Sequence, residues 1–359
     1  SISRAPEINE WLVTRLSTET MRILFDSRWI APHGIGRVAR EYRDRLARDF
    51  DLVELIDGPK PSSPMDWWYL GQAFRRSGAD LLFVPGYNGT PLAGRRQLFI
   101  IHDLIHFGKA EPDGARKRLY YNSITRLAAA RAKVLTVSQA SADELGRRWP
   151  ETRGHVGVVP NGISEQFAVR CGVPDGQRAG LVLFGNARWH KNLPAMLEAV
   201  ALWQAQSPER SQARVTIIGP DEPARSLAAK AGVRNVSIGR GLSDENLAAL
   251  LARSSALLFC SHAEGFGLPI LEAMACGCPV VASDLPVMRE VGQYGCVFVD
   301  PKSTADIARG IDRAIGLTSD EQARAALVAN HSWDASYAMV AAHIRALAEA
   351  VGPLRTTGR

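Results

Sequence analysis

The chain has 359 residues, 46% hydrophobic and 22% charged, which is enough for two domains of ordinary size, each with its own core. No run approaches the roughly eighteen consecutive apolar residues of a bilayer-spanning helix. The net charge of +6 lies wholly in the first half, where residues 1–160 hold 24 Lys and Arg against 18 Asp and Glu and residues 161–359 hold 19 of each. An anionic partner of the first half is expected, while no recognised basic motif or stacking platform marks a nucleic-acid binder.

Residues 1–20 are mixed polar and lack the basic, apolar, small-residue order of a secretory signal. Met21 opens the first strand-like run, so they are expected to be a leader or an appended extension outside the fold. Met21–Asp26 reads as a buried strand and Val38–Phe50 as a helix with Arg and Glu on its solvent side. Between them, Gly34-Ile-Gly36-Arg37-Val38-Ala39 has the form GxGxxA. In a dinucleotide fingerprint the glycines follow the strand at once, whereas Ser27 to His33 intervene here. On the glycine pattern alone, an NAD-linked oxidoreductase is a competing reading.

Leu52–Ile56, Leu81–Val84, Gln97–Ile101, Val134–Val137 and Val156–Val159 are further short apolar runs, each trailed by polar, glycine-containing or helical sequence. That alternation predicts parallel strands with crossover helices. Ser141-Ala-Asp-Glu144 has the form of a capping box opening one of the helices. Ligand crevices of such sheets lie beyond the carboxyl ends of strands, which draws attention to His102-Asp103 just after Gln97–Ile101. A lone His there can equally be a satisfied loop residue, and His106 is taken as structural or acceptor-side.

Two segments combine aromatics with cations: Asp66-Trp67-Trp68-Tyr69 with Arg75-Arg76, and Ala115-Arg116-Lys117-Arg118 with Tyr120-Tyr121 and Arg126. Such a composition suits a membrane headgroup region, where each basic residue near an anionic surface contributes about 1 kcal/mol. A solvated helix face packed on the sheet accounts for it equally well.

Turn formers through Gly172, Pro174, Gly176 and Gly180 predict a linker at 171–180. The second half restarts with Leu181–Phe184 followed by Gly185-Asn186-Ala187-Arg188-Trp189-His190-Lys191-Asn192. A strand, a glycine and a lysine before a helix form a phosphate-cradling arrangement, since Lys brings a mobile charge and the helix start brings N–H donors. Arg214–Gly219, Asn235–Ile238, Ala256–Cys260, Val280–Ala282 and Cys296–Val299 continue the strands. The five cysteines, Cys171, Cys260, Cys276, Cys278 and Cys296, lack metal or redox spacing and are expected to be small buried residues in a reducing cytoplasm. Trp333–Val351 is an amphipathic helix with Met339, Val340, Ile344 and Leu347 on its apolar face.

After Ala256–Cys260 the chain reads Ser261-His-Ala-Glu264-Gly265-Phe266-Gly267-Leu268-Pro269-Ile-Leu-Glu272, a strand, a loop and a helix with Pro269 in its first turn. Glu264 in the loop can point into a crevice, and Glu272 falls about one turn into the helix beside unpaired N–H groups that attract phosphate. Two such carboxylates alone often do no more than cap a helix start.

The two glutamates, with Gly-Phe-Gly-Leu-Pro between them, Glu272-Ala-Met-Ala after them and then Gly277-Cys-Pro-Val-Val281-Ala-Ser, resemble the donor-binding signature of retaining family 4 glycosyltransferases. The resemblance covers Met21 to about Val351. It implies an α/β chain of GT-B architecture, two Rossmann-like domains with parallel sheets facing across a cleft. It implies an acceptor domain at 21–170, left at Val159-Pro160-Asn161-Gly162-Ile163 and completed by a helix crossing back at about 333–351, and a nucleotide-sugar domain at 181–332. His102, Lys191 and Glu264 are then the catalytic set. Gly34 and Gly36 would lie near the donor phosphates and the acceptor, and His102-Asp103 at the donor sugar. Lys191 would bind the pyrophosphate, Glu264 would accept hydrogen bonds from the transferred sugar, and Glu272 would hold the ribose. Gly265, Phe266, Gly267 and Leu268 complete the donor set. Family members carry Arg directly after Gly185, but Asn186 stands there, so Asn186 or Arg188 could take that role.

The resemblance further implies retention of anomeric configuration without cofactor or metal, with cations and helix N–H groups stabilising the leaving diphosphate. Gly185-Asn-x-x-x-His190-Lys-Asn and His102-Asp-Leu-Ile-His106 look most like bacterial mannosyltransferases of surface polysaccharide assembly. GDP-mannose leads as donor and a UDP-hexose follows. The acceptor implied is a lipid-linked saccharide at the inner face of the cytoplasmic membrane, with the basic first half on its anionic surface. A non-catalytic nucleotide-sugar-binding or membrane-scaffold protein is a third reading.

Overall fold

Each apolar run becomes a strand, displaced by a residue or two at most. In the computed structural model the first domain contains β1 (Arg22–Asp26), β2 (Asp51–Leu55), β3 (Leu81–Val84), β4 (Gln97–Ile101), β5 (Lys133–Thr136) and β6 (Val156–Val158). The second contains β7 (Leu181–Phe184), β8 (Val215–Ile218), β9 (Val236–Gly239), β10 (Ala256–Phe259), β11 (Val280–Ser283) and β12 (Cys296–Val299). The described residues are 21–31, 34–107, 114–168, 175–186, 188–219, 221–292, 295–318 and 320–352, which leaves the expected leader and residues 171–174 of the expected linker, Cys171 among them, outside them.

The strands pair as two parallel six-stranded sheets, ordered β2-β1-β3-β4-β5-β6 and β12-β11-β10-β7-β8-β9. Parallel pairing needs crossovers, and the helices that supply them cover both faces, so β3, β4, β10 and β11 are buried along their whole length. Burial on both faces is why these strands read as unbroken runs of Leu, Ile, Val and Phe. The strand order reverses between β1 and β3 in one sheet and between β7 and β10 in the other, and crevices open beyond the carboxyl ends there.

The helix Trp333–Val351 follows the second domain yet packs on the first. The Tyr42 and Ser336 hydroxyls bond at 2.8 Å, Ser336 donates to the Pro160 carbonyl at 2.6 Å, and Arg45 pairs with Asp334 at 2.7 Å. Trp333 meets Tyr42 edge-on at 6.0 Å, and Arg96 donates to the Val351 and Gly352 carbonyls. The two passages between domains lie side by side, with Ile163 N–H donating to the His331 carbonyl at 2.6 Å. Gly162 is required at this crossing, because a Cβ there would come within 2.4 Å of the Trp333 backbone.

Several local expectations change. The first helix runs from Gly34 to Asp49, so the glycine motif forms its opening turn instead of a loop before it. A 3-10 turn at Ser27–Trp29 separates that helix from β1, which removes the tight strand-to-helix turn of a dinucleotide fingerprint. The helix Gln139–Arg148 is capped by Ser138, whose hydroxyl accepts from Ser141 N–H at 3.1 Å, and not by Ser141. Glu144 pairs with Arg147 and Arg148 instead of closing a capping box. Cys260, Cys276 and Cys278 are buried and Cys296 is half-buried, all as free thiols. In the aromatic and basic segments, Asp66 is fully buried against Arg28, while Trp68, Leu119 and Leu127 are exposed.

Candidate active site between the two domains

A cavity of about 690 Å3 lies where the two sets of strand ends face one another. The first domain lines it with Gly34, Arg37, His102 and Asp103, and the second with Lys191, Asp244, Glu264, the 265–269 turn and Glu272. His102, Lys191, Glu264 and Glu272 therefore share one space, although 170 positions separate the first from the last in the numbering of the chain.

His102 stands directly after β4 and is almost fully buried. Its Nε2 donates to the Pro85 carbonyl at 2.7 Å, because a carbonyl oxygen can only accept. In its neutral form the ring that makes this bond carries its proton on Nε2. Asp103 is tied into the turn after it, accepting from Ile105 N–H at 3.1 Å.

Lys191 ends a 3-10 turn, Trp189–Lys191, ahead of the helix Leu193–Gln204. Asn192, in the left-handed region at φ 54°, donates from its side-chain amide to the Cys260 and Pro301 carbonyls at 2.9 and 2.7 Å. His262 N–H donates to the His190 carbonyl at 2.7 Å. These bonds lash the lysine loop to the glutamate loop, and the two side chains meet: Lys191 Nζ lies 2.6 Å from Glu264 Oε1 and 5.2 Å from the centre of the Phe259 ring.

The loop bearing Glu264 is also docked on the other domain. The Gly265 carbonyl accepts from the Ser138 and Ser141 hydroxyls at 2.8 and 3.1 Å. A Cβ on Gly265 would lie 1.9 Å from the His102 carbonyl oxygen, so only glycine permits this approach. Gly267, at φ 111°, then turns the chain into the helix Leu268–Ala275.

Glu272 on that helix is 3% exposed. Sequence reasoning set it beside helix amides, but in the structure its partner is a guanidinium: Arg37 Nη1 donates to Glu272 Oε1 at 2.6 Å. Arg37 also pairs with Asp244 and donates to the Ser164 hydroxyl at 2.8 Å. Burial pushes the Glu272 carboxyl up to about 7, against the opposing pull of Arg37.

Arg37 and Asp244 are the functional candidates that sequence reasoning passed over. Arg37 lay inside the glycine motif, but nothing local indicates a partner 235 residues away. Gly34 lines the cavity. Gly36 lies behind it, held against Ala31, where a Cβ would fall 2.1 Å from the carbonyl oxygen. Asn186 and Arg188 are not among the lining residues; Asn186 accepts from Arg188 N–H at 3.0 Å, and Arg188 is exposed. Phe266 and Leu268 line the cavity with the two glycines.

Two parallel-sheet domains whose strand ends bring Lys191, His102 and two glutamates into one cleft define a protein of GT-B architecture. Residues 10–167 match the family model described as Glycosyltransferase Family 4, and residues 173–331 the model described as Glycosyl transferases group 1. Together these take in both domains, so the chain joins a family 4 glycosyltransferase domain to a group 1 glycosyl transferase domain. The first match begins inside the stretch expected to be a leader.

The chain is 26% identical over 241 residues to the O-antigen chain mannosyltransferase RfbU of Salmonella typhimurium, across 66% of this chain and 65% of that protein. It is 27% identical over 258 residues to the GDP-mannose:cellobiosyl-diphosphopolyprenol alpha-mannosyltransferase of Xanthomonas oryzae, across 68% of this chain and 66% of that protein. The matched stretches thus span just under two thirds of both relatives. The sucrose-phosphate synthase of Thermosynechococcus elongatus shares the fold, with a TM-score of 0.73 at 18% identity over 92% of this chain and 100% of that chain.

Proposed function

We propose that the protein is a retaining, metal-independent hexosyltransferase that moves mannose from GDP-mannose to a lipid-linked saccharide in surface polysaccharide synthesis. The observation that carries this reading is the meeting of His102, Lys191, Glu264 and Glu272 in one cavity between facing strand ends. A volume of about 690 Å3 suits a nucleotide sugar. The mannosyltransferase relatives favour mannose, and one of them is named for GDP-mannose. A UDP-hexose is the second donor to test.

In this reaction the acceptor hydroxyl oxygen bonds to C1 from the face that the diphosphate leaves. The C1–O bond to the diphosphate breaks with its electron pair on the departing oxygen, which takes the hydroxyl proton. Lys191, held in place by Glu264 beforehand, neutralises the growing negative charge without reorganising, and losing one such stabiliser typically costs ~10²–10³ in rate. Glu264 accepts hydrogen bonds from sugar hydroxyls, His102 faces the sugar, and Glu272 receives the ribose.

The oxidoreductase reading loses its motif, since Gly34 and Gly36 lie in a helix and not in a strand-to-helix turn. A stability-shift panel tests the donor. GDP and GDP-mannose should raise the melting midpoint more than UDP, ADP or NAD, because only a ligand that prefers the folded form raises it. A shift with NAD alone would overturn the proposal.

The membrane surface belongs to the same proposal. It is supported by exposed Leu119 and Leu127 in the segment of Arg116, Lys117, Arg118 and Arg126. Among the described residues no helix is long and apolar enough to cross a membrane. Vesicles containing anionic lipid should recruit the protein in a salt-sensitive way, and equal recruitment to neutral vesicles would count against it.

A further inference from the structure

A second cavity, of about 380 Å3, adjoins the first. Glu264 lines both, and Asp103, which lines the larger, is followed by Leu104 and Ile105, which line the smaller. Its character differs. The larger cavity holds Lys191 and Arg37, the groups suited to phosphates, whereas the smaller is walled by Leu104, Phe107, Trp189 and His262, with Arg147 and Arg148 at its edge.

Trp189 is a large aromatic left 36% exposed, and its ring lies nearly parallel to that of His262, 5.9 Å away with an interplanar angle of 20°. Burial and the nearby Lys302 hold the His262 imidazole below its ordinary value, so the stacked ring is neutral at physiological pH. In the same lining, the Arg148 guanidinium sits 4.0 Å from the centre of the Phe107 ring. Flat aromatic faces edged by hydrogen-bonding groups match a pyranose, whose axial C–H bonds point at the electron-rich ring face while its hydroxyls reach outward.

The platform is fixed to the reaction centre through the backbone. Trp189 stands two residues before Lys191 and His262 two before Glu264, and the His262-to-His190 hydrogen bond joins the two loops. A sugar ring stacked on Trp189 would thus be held in register with the point where the cavities meet at Glu264.

We propose that the smaller cavity is the acceptor subsite and that the Trp189–His262 stack is the platform for a hexopyranose ring at the receiving end of the acceptor. The assignment rests on the glycosyltransferase reading above and adds to it the chemistry of the second substrate and the residues that select it.

The test measures binding, so it does not depend on turnover. Octyl α-D-mannopyranoside and octyl β-D-glucopyranoside serve as probes in saturation-transfer NMR, with 1-octanol as the tail-only control and GDP as the donor-side ligand. In the wild type the pyranose protons of at least one glycoside should saturate and octanol should not. Trp189→Ala should weaken that glycoside about tenfold or more, at least fivefold beyond any change in GDP affinity, and Trp189→Phe should restore most of it. No saturation in the wild type, equal saturation by octanol, an indifferent Trp189→Ala, or equal losses for glycoside and GDP would each overturn the subsite. A protein that binds the glycoside on Trp189 but never turns over a nucleotide sugar would keep the pyranose-binding platform and sink the enzyme reading, and with it the acceptor role. An active enzyme indifferent to Trp189→Ala would do the reverse.

Discussion

Arg37 of the first domain donates to Glu272 of the second at 2.6 Å, joining the opening turn of one domain's first helix to the buried carboxylate at which a donor ribose is expected. The Arg37 side chain is 21% exposed and that of Glu272 is 5% exposed, so water screens the pair only weakly. This contact ties the two halves of the site together, beside the docking of Gly265 on Ser138 and Ser141.

Arg37→Ala would strip a buried carboxylate of its partner. Such a loss costs about 3 kcal/mol, at the low end of the range for buried pairs because the domains can part and let water reach Glu272. Small-angle scattering should show a larger radius of gyration for the variant without nucleotide, with the domains themselves still folded. An unchanged radius would mean that other contacts suffice to hold the closed arrangement.

Glu272 also gives the protein a pH signature. Burial raises its carboxyl from an ordinary 4.5 to about 7, so the folded protein keeps a proton that the unfolded chain has already released. The stability from this proton is complete below about pH 4.5 and is lost as pH rises through about 7. Glu272→Gln is uncharged throughout and escapes that loss. Its melting midpoint relative to wild type should therefore climb between about pH 5 and 7.5 and level off above. A difference that does not vary with pH would show that Glu272 is ionised across the range.

Lys191 and Glu264 form the charge pair at the proposed reaction centre. Lys191→Ala and Glu264→Ala should each lower turnover of the nucleotide sugar by ~10²–10³ while circular dichroism and cooperative melting persist. Unchanged turnover in both would remove the site assignment.

Three glycines separate packing from function. Gly265→Ala would set a methyl 1.9 Å from the His102 carbonyl oxygen, forcing the domains apart, and a misplacement of about 1 Å at such a centre costs ~10²-fold in rate. Gly36→Ala collides with the Ala31 backbone and should lower the melting midpoint. A Cβ at Gly34 meets nothing within 4 Å, so Gly34→Ala should leave stability equal or up to ~1 kcal/mol higher while weakening nucleotide binding, if phosphates approach that backbone. Titration with GDP alongside thermal melting distinguishes the three outcomes.

The strands were legible because a parallel strand buried on both faces must be apolar at nearly every position, as in Leu81–Val84 and Leu181–Phe184, which appear where the sequence places them. Helix ends were less legible. Ser138 and Ser141 both offer a hydroxyl, and the choice of Ser138 as cap depends on where β5 stops and the chain turns.

By itself the sequence determined the strand–loop–helix that presents Glu264, the lysine turn before Leu193–Gln204 and the amphipathic last helix, because each depends on residues a few positions apart. Only the tertiary structure decided that Arg37 faces Glu272, that Gly265 rests on His102, and that Arg188 stays outside the cavity that Lys191 enters. Those outcomes follow from how two sheets dock. Their partners lie one or two hundred residues apart, and no local pattern of hydrophobicity or propensity encodes which charge will face which across a cleft.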